Sequence, residues 1–169
     1  MNRNKRIYLS IIFCLIFHSG NIYGNTTQEK LLQFSQEEIG HGEIGKNNSG
    51  KYVKLYNKGL EAPWCAGFIS YCLEQSGYKE FNYQLSARRI WNIANEKKLI
   101  VDIPQAGDLI VFWRESPTSW KGHIGIVSEV GLEAIWTIEG NVGDFPSTVK
   151  RIKYNRNDIP RLLGYIRIK

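Results

Sequence analysis

The spacing of apolar residues changes character halfway along the chain. In the first half they recur at three- and four-residue intervals, whereas in the second they alternate or form short β-branched runs. Leu31, Leu32, Phe34 and Ile39 make a partial stripe behind Thr26 and Thr27, either of which can cap a helix over Glu29 to Ile39. Gly40 to Gly50, with four glycines, two asparagines and His41, reads as a loop. Lys51 to Asn57 is a short amphipathic helix ended by Gly59. The strongest helical pattern runs from Trp64 to Gln75. Cys65, Phe68, Ile69, Cys72 and Leu73 fall there at i, i+3, i+4, i+7 and i+8, with Pro63 suited to the entry and Gly77 to the exit. Ser86 caps a further helix reaching Lys97, with Ala87, Ile90, Trp91 and Ala94 facing inward. After the turn at Pro104 to Gly107, residues 108–113, 123–130, 134–139, 148–154 and 165–168 read as strands. Trp91, Trp113 and Trp136 have core spacing. Helices first and strands afterwards predict an α+β domain, N-terminal helices packed on a C-terminal antiparallel sheet.

Residues 1–24 stand apart. Arg3, Lys5 and Arg6 precede an almost unbroken apolar run, Ile7 to Phe17, followed by Ser19, Gly20 and Gly24. That run is shorter than the about 20 residues a spanning helix needs. It has the layout of a secretory signal peptide, cut after Gly20 or Gly24, with 25–169 as one mature domain. Phe13 stands before Cys14 where a lipoprotein would carry a small residue. Without the leader the net charge falls from +6 to +3, 19 basic against 16 acidic residues. This is too weak an excess for a nucleic-acid binder. The expected location is the periplasm, the cell envelope or the exterior, as a monomer with no stable membrane insertion after leader removal.

Leader removal also sharpens the chemistry, because it leaves two cysteines, Cys65 and Cys72. Seven residues apart on one helix, their Cα atoms lie roughly 10 Å apart at the α-helical rise, beyond the about 7 Å a disulfide tolerates. Cys72 fits as a small core residue. Cys65 begins the helix, where the dipole favours a thiolate and free N–H groups can hold an oxyanion. Only His41 and His123 remain as bases. His41 lies between two glycines in a loop; His123, in Gly122-His123-Ile124-Gly125, opens a strand that can hold it rigidly, and the glycines leave room for a helix or substrate. Glu139 and Asn141, two apart on an extended segment, point to one side, and either can accept a hydrogen bond from the far imidazole nitrogen. Trp64 and Trp120 are placed to stack on sugar rings. A zinc site needs three or four ligands at short spacings, which Cys-x6-Cys and two distant histidines do not supply. No phosphate loop, dinucleotide fingerprint or Gly-x-Ser-x-Gly elbow is present. No metal or cofactor is therefore expected.

Four blocks in order carry a resemblance: Pro63-Trp64-Cys65-Ala66-Gly67-Phe68, Gly107 to Trp113, Ser116 to Val127, and Glu139-Gly140-Asn141. Together they resemble the CHAP family, cysteine, histidine-dependent amidohydrolases/peptidases of bacteria and their phages, over about residues 30–168. The resemblance implies a papain-like fold and cleavage of peptidoglycan amides, with Cys65 as nucleophile, His123 as base and Glu139 with Asn141 as polar partners. Asn48 and Gly50 look like the family's upstream loop, which implies a part in shaping the cleft and contacting substrate. With its own leader and no wall-binding module, the chain reads as an exported wall enzyme whose partner is peptidoglycan. Two rival readings share the fold: an acyl or peptidyl transferase, in which an amine replaces water, and a catalytically silent envelope-binding module.

Overall fold

A computed structural model describes residues 26–169; the leader expected over residues 1–24 lies outside the described residues. Four helices come first: α1 (Thr27–Glu37), α2 (Lys51–Tyr56), α3 (Cys65–Gln75) and α4 (Ala87–Glu96). Six strands follow: β1 (Ile100–Val101), β2 (Leu109–Trp113), β3 (Gly122–Val130), β4 (Ala134–Val142), β5 (Thr148–Asn155) and β6 (Leu162–Ile166). They form one antiparallel sheet in the order β1-β6-β2-β3-β4-β5. The chain is an α+β domain of the arrangement its hydrophobic pattern predicts. Among the described residues no helix is long and apolar enough to cross a membrane.

Local signals account for the helix ends. Thr26 caps α1 in a reciprocal box: its hydroxyl accepts from the Glu29 N–H at 3.2 Å, and the Glu29 carboxylate accepts from the Thr26 N–H at 2.7 Å. The helix ends before Ile39, which is solvent-exposed, so the apolar stripe is shorter than the sequence suggests. Ser86 caps α4 by accepting from the Arg89 N–H at 3.3 Å. Gly77, at φ +84°, supplies the left-handed residue that closes α3.

The core explains why α3 is the central helix. It is wedged between α1 and α2 on one side and β3 and β4 on the other. Accordingly Ala66, Gly67 and Ser70 are buried beside the predicted stripe of Cys65, Phe68, Ile69, Cys72 and Leu73. Alternation along the strands sends Leu109, Val111, Ile124, Ile126 and Ile138 to the helices. The opposite face carries a second cluster of Ile110, Phe112, Val127, Ile135 and Tyr165. Trp136 belongs to neither. It is half-buried on the sheet surface under the Arg151 guanidinium, 4.3 Å from the ring centroid. Trp91 and Trp113 are likewise half-buried, so the core spacing of these three tryptophans overstates their burial.

The segments that hold the site are pinned by buried polar groups. Asp108 accepts from Arg167 Nη2 at 2.9 Å and Nε at 3.2 Å, and from the Gln105 N–H at 2.8 Å, tying the entry of β2 to the end of the chain. Asn57 donates to the Ala62 carbonyl at 2.9 Å, fixing the loop that delivers Cys65.

Candidate active site

Cys65 is the first residue of α3, so its N–H has no acceptor within the helix, and the neighbouring Ala66 N–H favours the thiolate form of its sulfur. It is a free thiol, 8% exposed, and Cys72 two turns on is free and fully buried. The two thiols differ by environment alone. Burial pushes the Cys72 thiol well above its usual range, with the Glu38 charge adding to it. Burial pushes Cys65 up as well, but its hydrogen bond to His123, the charges of His123 and Arg114, and the Ala66 N–H outweigh that and lower it.

His123 enters at the start of β3, paired with Phe112 across β2, whose ring lies 5.8 Å away. Nε2 sits 2.7 Å from Glu139 Oε2, leaving Nδ1 toward the thiol. Burial pulls the imidazole down, but the bonds to Cys65 and Glu139 and their charges push it up to about 9. Glu139 is itself buried, which raises it; His123, then the Thr137 hydroxyl that donates to it and the nearby Tyr154 hydroxyl, bring it below the usual carboxylate range. A depressed thiol, a raised imidazole and a depressed carboxylate in series describe a thiolate–imidazolium pair backed by an anion.

Two glycines make the geometry feasible, by giving room rather than flexibility. A Cβ on Gly125 would lie 2.5 Å from Glu139 Cγ, so this glycine houses the carboxylate arm, not a helix or a substrate. Gly122 is not needed for the approach of a helix: Ala87, at the start of α4, would be 3.5 Å from its Cβ, an ordinary contact, and the tighter neighbour is the Phe112 carbonyl at 3.0 Å. A Cβ on Gly140 would stand 2.5 Å from the Trp64 ring. The indole thus fills the notch between Glu139 and Asn141 and sets the spacing between α3 and β4.

That placement corrects the expectation for Trp64. It is fully buried, and its Nε1 donates to Glu43 Oε1 at 3.2 Å, so neither ring face can meet a sugar. The alternation expected to put Glu139 and Asn141 on one side is interrupted. The register of β4 against β5 breaks between Glu139 and Val142, and Asn141 adopts φ +60°. Its side chain forms no hydrogen bond with His123, so Glu139 alone orients the imidazole in this structure. Asn48, at φ +55°, lies in the loop gathered by Glu43, whose Oε1 accepts from the Asn48 N–H at 2.9 Å, and it lines neither cleft beside the thiol. His41 is stacked on Tyr52 at 4.0 Å and bonded to Glu38 at 2.8 Å, far from base chemistry at Cys65. Trp120 is 75% exposed and forms a wall of the cleft at Cys65.

That cleft, of about 240 Å³, runs past Cys65, Leu85, Ser86, Arg114, Trp120 and Gly122. A second, of about 360 Å³, opens on the imidazole side past His123, Tyr154 and Arg161, and again Arg114. Arg114 therefore divides the two, with Nη2 3.5 Å from His123 Nδ1. The sequence reading missed Arg114, Tyr154, Thr137 and Glu43. Thr137 shares the alternation of Glu139 and was detectable from it; the other three depend on strand register and loop closure. Among the described residues no three His, Cys, Asp or Glu side chains gather as a metal site would require.

No curated protein matches the chain. A family model described as CHAP domain matches residues 56–141, just over half of the sequence and narrower than the similarity read over 30–168. The matched span contains Cys65, His123 and Glu139. The chain belongs to the CHAP domain family and carries a peptidoglycan-hydrolase-type amidohydrolase or peptidase domain that depends on cysteine and histidine.

Proposed function

We propose that the chain is an exported peptidoglycan hydrolase that cleaves an amide of the stem peptide or cross-bridge. Residues 1–24 act as its leader and 25–169 as the catalytic domain. Cys65 is the nucleophile, His123 the proton carrier and Glu139 its orienter. The observation that carries the reading is the buried series of thiol, imidazole and carboxylate opening on a cleft walled by the exposed Trp120. The same series speaks against a silent binding module, because a shape-only site has no need of a depressed thiol.

The chemistry follows from the geometry. The Cys65 thiolate adds to the scissile carbonyl carbon, and the oxyanion meets the unpartnered Cys65 N–H at the positive end of α3. As the C–N bond breaks, the imidazolium gives its Nδ1 proton to the leaving amine, and a thioester remains. Nδ1 then takes a proton from water, whose oxygen displaces the sulfur and restores the thiolate–imidazolium pair. Glu139 holds Nε2–H throughout and balances the imidazolium charge. Digestion of purified peptidoglycan by the leaderless chain, read by fragment masses, is expected to yield new amine and carboxyl termini at a single bond type. Glycan scission or no release of fragments overturns the reading. Loss of about 24 residues from the mass of protein recovered outside the cytoplasm tests the leader.

The pH dependence has a definite sign. The imidazolium is the needed form of His123, and its pKa near 9 lies above the ordinary value, so activity holds to about that pH and falls beyond it. The thiolate is the needed form of Cys65, and its pKa lies below the ordinary value, so activity is lost only as pH drops through that depressed value. Rates of kcat/KM and of Cys65 alkylation against pH check this. A single alkylation limb at the pKa of about 8.5 of a free thiol would count against the pair.

A further inference from the structure

The cleft on the imidazole side is lined by Arg114, His123 and Arg161 and by no carboxylate. Arg114 leaves the end of β2 and Arg161 sits in the turn before β6. The Arg161 carbonyl accepts from the Trp113 N–H at 2.9 Å, so the residue before Arg114 is tied directly to Arg161. The Arg161 guanidinium lies 5.9 Å from the Trp113 ring centroid, and both arginines line the same cleft as His123. Neither forms an ion pair among the described residues. Residues 1–25 contain no Asp or Glu that could supply one. Of the other described arginines, Arg88, Arg151, Arg156 and Arg167 each hold a carboxylate or a carbonyl; Arg89 does not, but it lines neither cleft.

Three cationic groups face one cleft; Glu139 behind the imidazole offsets His123, and the Cys65 thiolate in the neighbouring cleft offsets His123 and Arg114 in part, which leaves Arg161 without an anion. A guanidinium presents a planar fork of donors suited to a carboxylate, and two of them beside the reacting pair define both its place and its charge. We propose that Arg114 and Arg161 form a carboxylate subsite, so that the preferred substrate is a peptide with a free carboxylate within a residue or two of the scissile amide. This rests on the hydrolase reading and narrows it. An acidic residue joined through its side chain retains such an α-carboxylate; a fully amidated or neutral segment does not. Arg114, touching both clefts, couples occupancy of the subsite to the thiol, whereas Arg161 acts through binding alone.

The test uses two peptides that differ only in a carboxylate or a carboxamide at that position. The chain is expected to prefer the acid about 10-fold or more in kcat/KM, mostly through KM, as a charge-assisted hydrogen bond to a solvent-facing guanidinium provides. Arg161→Ala should bring the preference close to unity, Arg161→Lys should restore part of it, and raised salt should weaken it. Equal turnover of acid and amide, or a preference that survives both Arg161→Ala and Arg114→Ala, overturns the subsite. Binding of both peptides to Cys65→Ala, measured by calorimetry, reads the subsite without turnover. Tighter binding of the acid with no cleavage by the unaltered chain would overturn the hydrolase reading and leave the subsite standing; equal binding would overturn the subsite.

Discussion

Cys65→Ala is expected to abolish peptidoglycan hydrolysis, a loss of at least about 10⁴-fold, with the fold retained. The thiol is small and lies at the mouth of the core, so its removal leaves little cavity. What disappears is the only nucleophile that the site activates. Cys72 cannot substitute, because burial holds it as a neutral thiol. Cys65→Ser should be nearly as inactive, since the local field that depresses a thiol leaves a hydroxyl protonated. His123→Ala should cost a similar factor, and the double substitution little more than either, because the pair acts as one unit. His123 also loses one of the two partners that raise its pKa when Cys65 is replaced. Its alkaline titration should therefore move down from about 9, with Glu139 still in place. Fragment release measures the loss and thermal unfolding checks the fold. Wild-type hydrolysis by Cys65→Ala would remove the thiol from the mechanism.

The parts of this site that the sequence discloses are those governed by neighbours in the chain. A cysteine opening an apolar helical stripe and a histidine opening an apolar strand are local patterns, and both elements form where the periodicity predicts. The capping box at Thr26 is equally local. What escapes is set across the chain. Alternation would have put Glu139 and Asn141 on one side, but a bulge, which no period marks, interrupts it between Glu139 and Val142. Glu43 bonds to Trp64 and to the Ser147 N–H, 104 residues distant, so nothing near it in sequence signals its role. Arg114 follows a buried strand and looks like an ordinary loop cation until the 114–121 loop closes and brings it beside His123. β1 is two residues long, too short for any periodicity.

Trp64→Ala should unfold the protein more easily by about 3–5 kcal/mol, the usual cost of truncating a buried tryptophan. That is a large share of the about 5–15 kcal/mol by which such domains are stable. The indole is fully buried against Gly140, where no other side chain can enter without moving the β4 backbone. Its loss also takes a donor from Glu43, a buried carboxylate whose remaining hydrogen bonds come from the Asn48 and Ser147 N–H groups at 2.9 and 2.8 Å. Trp64→Phe removes the N–H and part of the indole bicycle but keeps one six-membered ring, so it should cost less than Trp64→Ala. The buried acceptor left short of a donor accounts for about 1–3 kcal/mol of that cost. Both variants should lower kcat more than they raise KM, since the ring spaces the first turn of α3, and with it Cys65, from the strand that carries Glu139. A tryptophan that stacked on substrate would behave in the opposite way, with KM rising and stability untouched. Denaturant unfolding of Trp64→Ala within 1 kcal/mol of the unaltered chain, together with a raised KM, would return Trp64 to the substrate cleft.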